Sequence, residues 1–113
     1  MYKPFTSVRI GPFDFEVRWG DNAEAESNGH QGYVNMEYQF LWLNGQAPRA
    51  YLASIFIHEV QHAILFASNL PDQHTVEDCV TNIGRGLVSF WRDNPEVVKW
   101  WTGLIAPSKG FTD

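Results

Sequence analysis

The chain has 113 residues, 44% of them hydrophobic and 15% aromatic, and its 13 acidic and 8 basic side chains give a formal net charge of −5. That length fits one domain over residues 1–113, with enough apolar material for a core. The basic residues are scattered and the balance is acidic, so a nucleic-acid partner held through its phosphates is not expected.

The opening run Met1-Tyr2-Lys3-Pro4-Phe5 lacks the apolar segment of a secretory signal. Val8 and Ile10 then alternate with polar neighbours until Gly11-Pro12 breaks the run. Beyond it Phe13, Phe15, Val17 and Trp19 alternate with Asp14, Glu16 and Arg18, the period-two pattern of a half-buried strand. Gly20 to Gly29 is polar and acidic and contains Asn28-Gly29, which reads as a loop or a long hairpin turn. Strand character returns in Tyr33-Val34 and in Phe40 to Leu43, with a tight turn around Met36 to Tyr38, and Asn44-Gly45 closes the sheet region.

Pro48 suits the first turn of a helix running to about Ser68. Its longest apolar stretch, Ala53 to Ile57, is interrupted by Ser54 and falls far short of a membrane span, so no membrane partner is expected. Pro71 and Asp72 sit in the connection that follows. Thr75 with Asp78 has the shape of a capping box, opening a second helix that carries Val76, Val80, Ile83 and Leu87 on one face and ends near Arg92. Gly84 and Gly86 inside that helix imply a close helix contact. Asn94-Pro95 starts a third helix through Val97, Val98, Trp101 and Ile105. The expected fold is α+β: a small antiparallel sheet of three or four strands, then three helices. Trp91, Trp100 and Trp101 are expected to cover the core. Cys79 is the only cysteine, which rules out an intrachain disulfide and suits a cytoplasmic protein.

Chemistry concentrates in His58-Glu59-Val60-Gln61-His62. Histidines four apart on a helix leave the same face one turn apart, so two imidazoles can reach one tetrahedral zinc ion. Glu59 lies on nearly the same face, where it can accept a proton from an activated water without ligating. With this composition the motif arises by chance on the order of 0.01 times per sequence. Ile55 and Phe66 share the face by helical spacing and would make the cleft partly apolar. A zinc site of this type needs a third protein ligand. Glu77 is favoured for its reach from the first turn of the second helix, with His74 and Asp78 as alternatives. Glu77 could equally be an acid complementing the helix dipole, and Asp78 is claimed by the cap. Tyr33, Tyr51, His30 and His74 are candidates for stabilising an oxyanion, with no spacing that selects among them.

The run Ile57 to Ile64, the later Glu77, and Gly86-Leu87 ahead of Asp93-Asn94-Pro95-Glu96 resemble small HExxH zinc metallopeptidase-like proteins of phages and prophages, related to the minimal glutamate-type zincins. Ile10-Gly11-Pro12-Phe13, Gly32-Tyr33 and the order of elements are similar too, so the likeness spans nearly the whole chain, although only the HExxH portion is highly specific. The resemblance implies that His58, His62 and Glu77 bind Zn2+ and that Glu59 is catalytic. The Glu-x-x-x-Asp arrangement of larger relatives is absent, because Thr81 stands four after Glu77, so the group orienting a histidine must come from elsewhere, such as a backbone carbonyl.

The function expected is a zinc-dependent peptidase acting on a peptide or protein substrate, held in extended form along the edge of the Tyr33–Leu43 hairpin. The competing expectation is a catalytically silent, zinc-stabilised binding protein, for example a phage-encoded modulator of a host protein. For a phage product the location would be the host cytoplasm.

Overall fold

The computed structural model describes residues 2–70 and 72–107, and Pro71 lies outside the described residues. Four strands and four helices follow one another: β1 (Ser7–Ile10), β2 (Phe13–Gly20), α1 (Asn22–Asn28), β3 (Gly32–Asn35), β4 (Phe40–Asn44), α2 (Arg49–Ser68), α3 (Val76–Asp93) and α4 (Pro95–Ile105). The class is α+β, with the sheet preceding the three long helices.

The sheet order is β1-β2-β4-β3. The outer pairs are antiparallel, but β2 and β4 run parallel, from Glu16 opposite Phe40 to Gly20 opposite Asn44. The sheet is therefore mixed, where an antiparallel one was expected. The cause is the crossover after Gly20: the chain passes through α1, lays β3 at the far edge, and turns back through Gln39 (φ 54°) so that β4 enters the middle. Residues 22–28, expected as loop, form that crossover helix. The Asp21 carboxylate accepts from the Glu24 amide at 2.9 Å, and Gly29 (φ 77°) ends the helix by donating its amide to the Ala25 carbonyl. Ala25 is its single buried residue, packed with Phe40 and Trp42 on the outer face of the sheet. One apolar contact in a polar heptapeptide leaves no periodicity to detect.

The inner face of the sheet carries Val8, Ile10, Phe15, Val17, Leu41 and Leu43. Against it α2 sets Leu52, Phe56, Val60, Ala63 and Ile64, all buried. By length and composition alone α2 is long and apolar enough to cross a membrane, a property the short run Ala53 to Ile57 did not suggest, but here it is the central helix of the core. Asn94, at the α3–α4 corner, clamps β1: its Oδ1 accepts from the Arg9 amide at 2.9 Å and its Nδ2 donates to the Arg9 and Phe90 carbonyls. Trp100 packs edge-on against Trp19 and Phe56, while Trp101 donates its indole N–H to the Ala53 carbonyl at 2.9 Å.

The capping box opens α3 as the sequence implied: Thr75 Oγ accepts from the Asp78 amide at 3.0 Å, and Asp78 accepts from the Thr75 amide at 2.9 Å. The Thr75 amide, helped by its hydroxyl, holds the Asp78 carboxyl below its ordinary range. A depressed folded-state value adds stability above the ordinary carboxylate pKa and loses it as pH falls through the folded value. The Thr75 and Asp78 amides should therefore lose exchange protection at acid pH by NMR, and Asp78→Ala should abolish that pH dependence.

Within α3 the two glycines differ. A Cβ on Gly86 would lie 2.3 Å from Ile64 Cγ2, so Gly86 lets α3 seat closely on α2, whereas a Cβ on Gly84 would meet open space. The close contact expected for both belongs to Gly86 alone. Both alanine substitutions gain the same helix propensity. Their difference isolates the clash: in urea denaturation Gly86→Ala should be less stable than Gly84→Ala by about 1–3 kcal/mol.

Candidate metal centre

The apolar side of α2 decides where the motif points. Phe56, Val60 and Ala63 are buried in the core, which turns His58 and His62 to the outer surface of the helix. Glu59, between those two directions, is 8% exposed. The histidine rings meet at a centroid separation of 4.8 Å and an interplanar angle of 72°, with their Nε2 atoms 3.2 Å apart. Glu59 Oε2 lies 3.9 Å from His58 Nε2.

That nitrogen spacing fits a shared ion. Two nitrogens at zinc-ligand distance from one tetrahedral centre stand about 3.3 Å apart. Without an ion, the same spacing suits one neutral imidazole donating to the other. Either way the two Nε2 atoms stand side by side, with a carboxylate oxygen 3.9 Å from one of them. Neither histidine has a hydrogen bond at Nδ1 among the described residues, and the Gln61 amide is spent on the Ile57 carbonyl at 3.1 Å. The backbone carbonyl expected to orient a ring is thus not found there.

No group of three His, Cys, Asp or Glu side chains comes together among the described residues. Glu77 is exposed on the first turn of α3. Helix geometry explains its distance: the α3 residue beside the pair is Ile83, which lines a hollow with His58 and His62. Six residues earlier, Glu77 stands about 9 Å along the axis and about 120° around it. Asp78 is committed to the cap, and His74 lines a separate hollow beyond α2 with Leu65, Phe66 and Leu70. Cys79, one turn before Ile83 and half-buried, does not join the pair either.

On the sheet side of the pair a depression of about 390 Å³ is lined by His30, Gln31, Gly32, Tyr51, Ser54 and Ile55, together with His58 and Glu59. Gly32 forms this wall because a Cβ there would stand 2.5 Å from Ile55 Cγ2, so only glycine lets the start of β3 come this close to α2. The signal was legible as a glycine opening a strand, although its meaning needed the partner helix. Of the four candidates for an oxyanion donor, His30 and Tyr51 share the depression with Glu59. Tyr33 instead stacks on Trp42, at 5.7 Å and 18°, on the outer face of the sheet. Ile55 lines the cleft as expected, whereas Phe66 packs against Phe13 and belongs to the hollow beyond α2.

No protein-family model, curated protein or solved structure matches this chain. Its chemistry is therefore read from its own residues.

Proposed function

We propose that the chain is a zinc-dependent peptidase, with His58 and His62 holding the ion and Glu59 acting as general base. The observation that carries the reading is the approach of the two Nε2 atoms to 3.2 Å, beside a nearly buried carboxylate. The spacing of His58, Glu59 and His62 on one helix supports it. When bound, the ion supplies Lewis-acid polarisation of a peptide carbonyl and eases ionisation of a water. Glu59 takes the proton of the attacking water and passes it to the leaving amine. Its low exposure keeps bulk water from competing for that proton. β3 is an edge strand, and its Gly32 end forms one wall of the depression, so an extended peptide added to that edge would pass the pair. The same reading keeps the protein in the cytoplasm, the host's if the chain is phage-encoded.

A second reading, a zinc-stabilised binding protein without turnover, is favoured by one observation: no third donor side chain stands with the pair among the described residues.

Zinc should raise the melting temperature of the wild-type protein, and His58→Ala or His62→Ala should remove both bound metal and the shift. Full zinc occupancy in the double variant, measured by metal analysis, would contradict this. Glu59→Gln should retain zinc and fold normally while any hydrolysis falls by about two to four orders of magnitude. Cleavage at the wild-type rate by that variant would remove Glu59 from the mechanism.

Zinc affinities of Glu77→Ala, His74→Ala, Asp78→Ala and Cys79→Ser, measured under one condition, identify the third donor. Glu77→Ala is expected to show the largest loss, which requires metal binding to draw the first turn of α3 toward the pair, since Asp78 already serves the cap and Glu77 has no side-chain partner among the described residues. A large loss confined to another variant would reassign the ligand. Uniformly small losses would leave His58 and His62 alone and favour the second reading.

A further inference from the structure

A depression of about 240 Å³ opens at the carboxyl ends of the two parallel strands. Gly20-Asp21 enters it after β2, Gly45-Gln46 after β4, Glu24 from α1, and Tyr2 and Trp19 complete the lining. It shares no residue with the depression beside the histidines. Ends of parallel strands beside a crossover are where open α/β sheets bind ligands. Two aromatic rings form a corner there: Tyr2 and Trp19 meet edge to face, with centroids 5.3 Å apart at 72°. Both rings are tethered. The Trp19 indole N–H donates to the Phe5 carbonyl at 2.7 Å, and the Tyr2 hydroxyl accepts from Trp100 Nε1 at 2.6 Å. Gly45 keeps the corner open. Its φ lies outside the left-handed region, so the backbone does not demand glycine, yet a Cβ would stand 3.0 Å from the Tyr2 ring and 3.4 Å from Trp19.

The charge of this depression selects its ligand. Asp21 and Glu24 are exposed and form no ion pair among the described residues, and no basic side chain lines the depression. Carboxylates beside aromatic rings favour a cation. A metal ion is poorly served, because no group of three His, Cys, Asp or Glu side chains comes together among the described residues. Other oxygens of the lining already accept hydrogen bonds: the Gly20 carbonyl from the Gly45 amide, the Asp21 carbonyl from Ala25, and Gln46 Oε1 from the Asn22 amide at 2.9 Å. An ammonium carrying three N–H donors would therefore trade water for ring carbons. A quaternary ammonium has no N–H to satisfy, and its methyl groups suit the aromatic corner.

We propose that this depression binds a quaternary ammonium group, seated in the Tyr2–Trp19 corner with Asp21 and Glu24 balancing its charge. The site goes beyond the peptidase reading and does not depend on it. A free trimethylammonium compound and a trimethylated lysine side chain carry the same group, and the test separates the two sources.

Choline, its uncharged isostere 3,3-dimethylbutan-1-ol, and the acetylated amide of trimethyllysine are titrated into the full chain while the tryptophan indole N–H resonances are followed by NMR. Choline should shift the Trp19 resonance saturably and bind more tightly than the alcohol by about 2- to 30-fold. Tyr2→Leu should weaken that preference by removing one ring. Asp21→Asn/Glu24→Gln should weaken it by removing both charges, while Asn at position 21 still caps α1. Should Tyr2→Leu unfold, the double variant carries the test, since both of its positions are exposed. His58→Ala/His62→Ala should bind choline as the wild type does, so loss of metal binding and loss of this site are read separately. Equal binding of choline and the alcohol, no saturable shift with either cation, or a preference unchanged in the Asp21/Glu24 variant overturns the proposal. Tighter binding of the trimethyllysine derivative assigns the site to a protein side chain, and tighter binding of choline assigns it to a free cation. Both results retain the site.

Discussion

The rotational setting of α2 on the sheet is the constraint from which the site follows. Leu52, Phe56, Val60, Ala63 and Ile64 are buried against strands and neighbouring helices. Full burial of an aliphatic or aromatic side chain is worth about 1.5–3 kcal/mol, so several together far outweigh anything two surface imidazoles contribute. The histidines do not choose their direction; the apolar residues of the same helix do. Because His58 and His62 share a phase opposite to Phe56 and Val60, their rings meet outside the core, where a ligand can reach them. A helix turned by half a revolution would bury both imidazoles and expose Phe56.

Glu59 occupies the boundary between those two faces. A carboxylate rarely reaches such low exposure without a partner, because losing water penalises its charged form. Its neighbour within reach is His58 Nε2, at 3.9 Å. A cation held by the two Nε2 atoms would compensate the carboxylate and both ring lone pairs together. Gly32 completes the arrangement from the sheet side, its missing side chain admitting β3 to within contact of Ile55.

Much of this was legible in the sequence wherever a segment carried strong periodicity or punctuation. The alternation from Phe13 to Trp19, the Asn94-Pro95 helix start and the Thr75–Asp78 box all mark elements that are present. The two strand segments of the Tyr33–Leu43 hairpin, expected on either side of a turn, are present as β3 and β4. Two features were not legible, for different physical reasons. Helix α1 buries only Ala25, so its cause is a cap and a left-handed glycine, which turns share. The parallel β2–β4 pair depends on where a crossover deposits the chain, and the alternation within a strand is the same for either direction. In the site, the i, i+4 histidines were legible because one helix carries both. The placement of His30 and Tyr51 near them, and of Tyr33 away from them, depends on contacts between elements that no local pattern encodes.

The phase of α3 shows why spacing within one helix transfers poorly to a ligand on the next. An amphipathic face at Val76, Val80, Ile83 and Leu87 correctly implied packing on α2, and it placed Glu77 beside that face. Beside a face, however, still leaves two coordinates free: the height at which the helices cross and the angle of each residue about the axis. Gly86 settles the height by accepting Ile64 where a side chain would otherwise stand. With that contact made, Ile83 falls level with the histidines, and Glu77 falls nearly two turns away and a third of a revolution off. An apolar residue thus takes the position over the pair where the sequence had suggested a carboxylate. The glycine that brings the second helix near enough to serve the site also decides which of its residues arrives there.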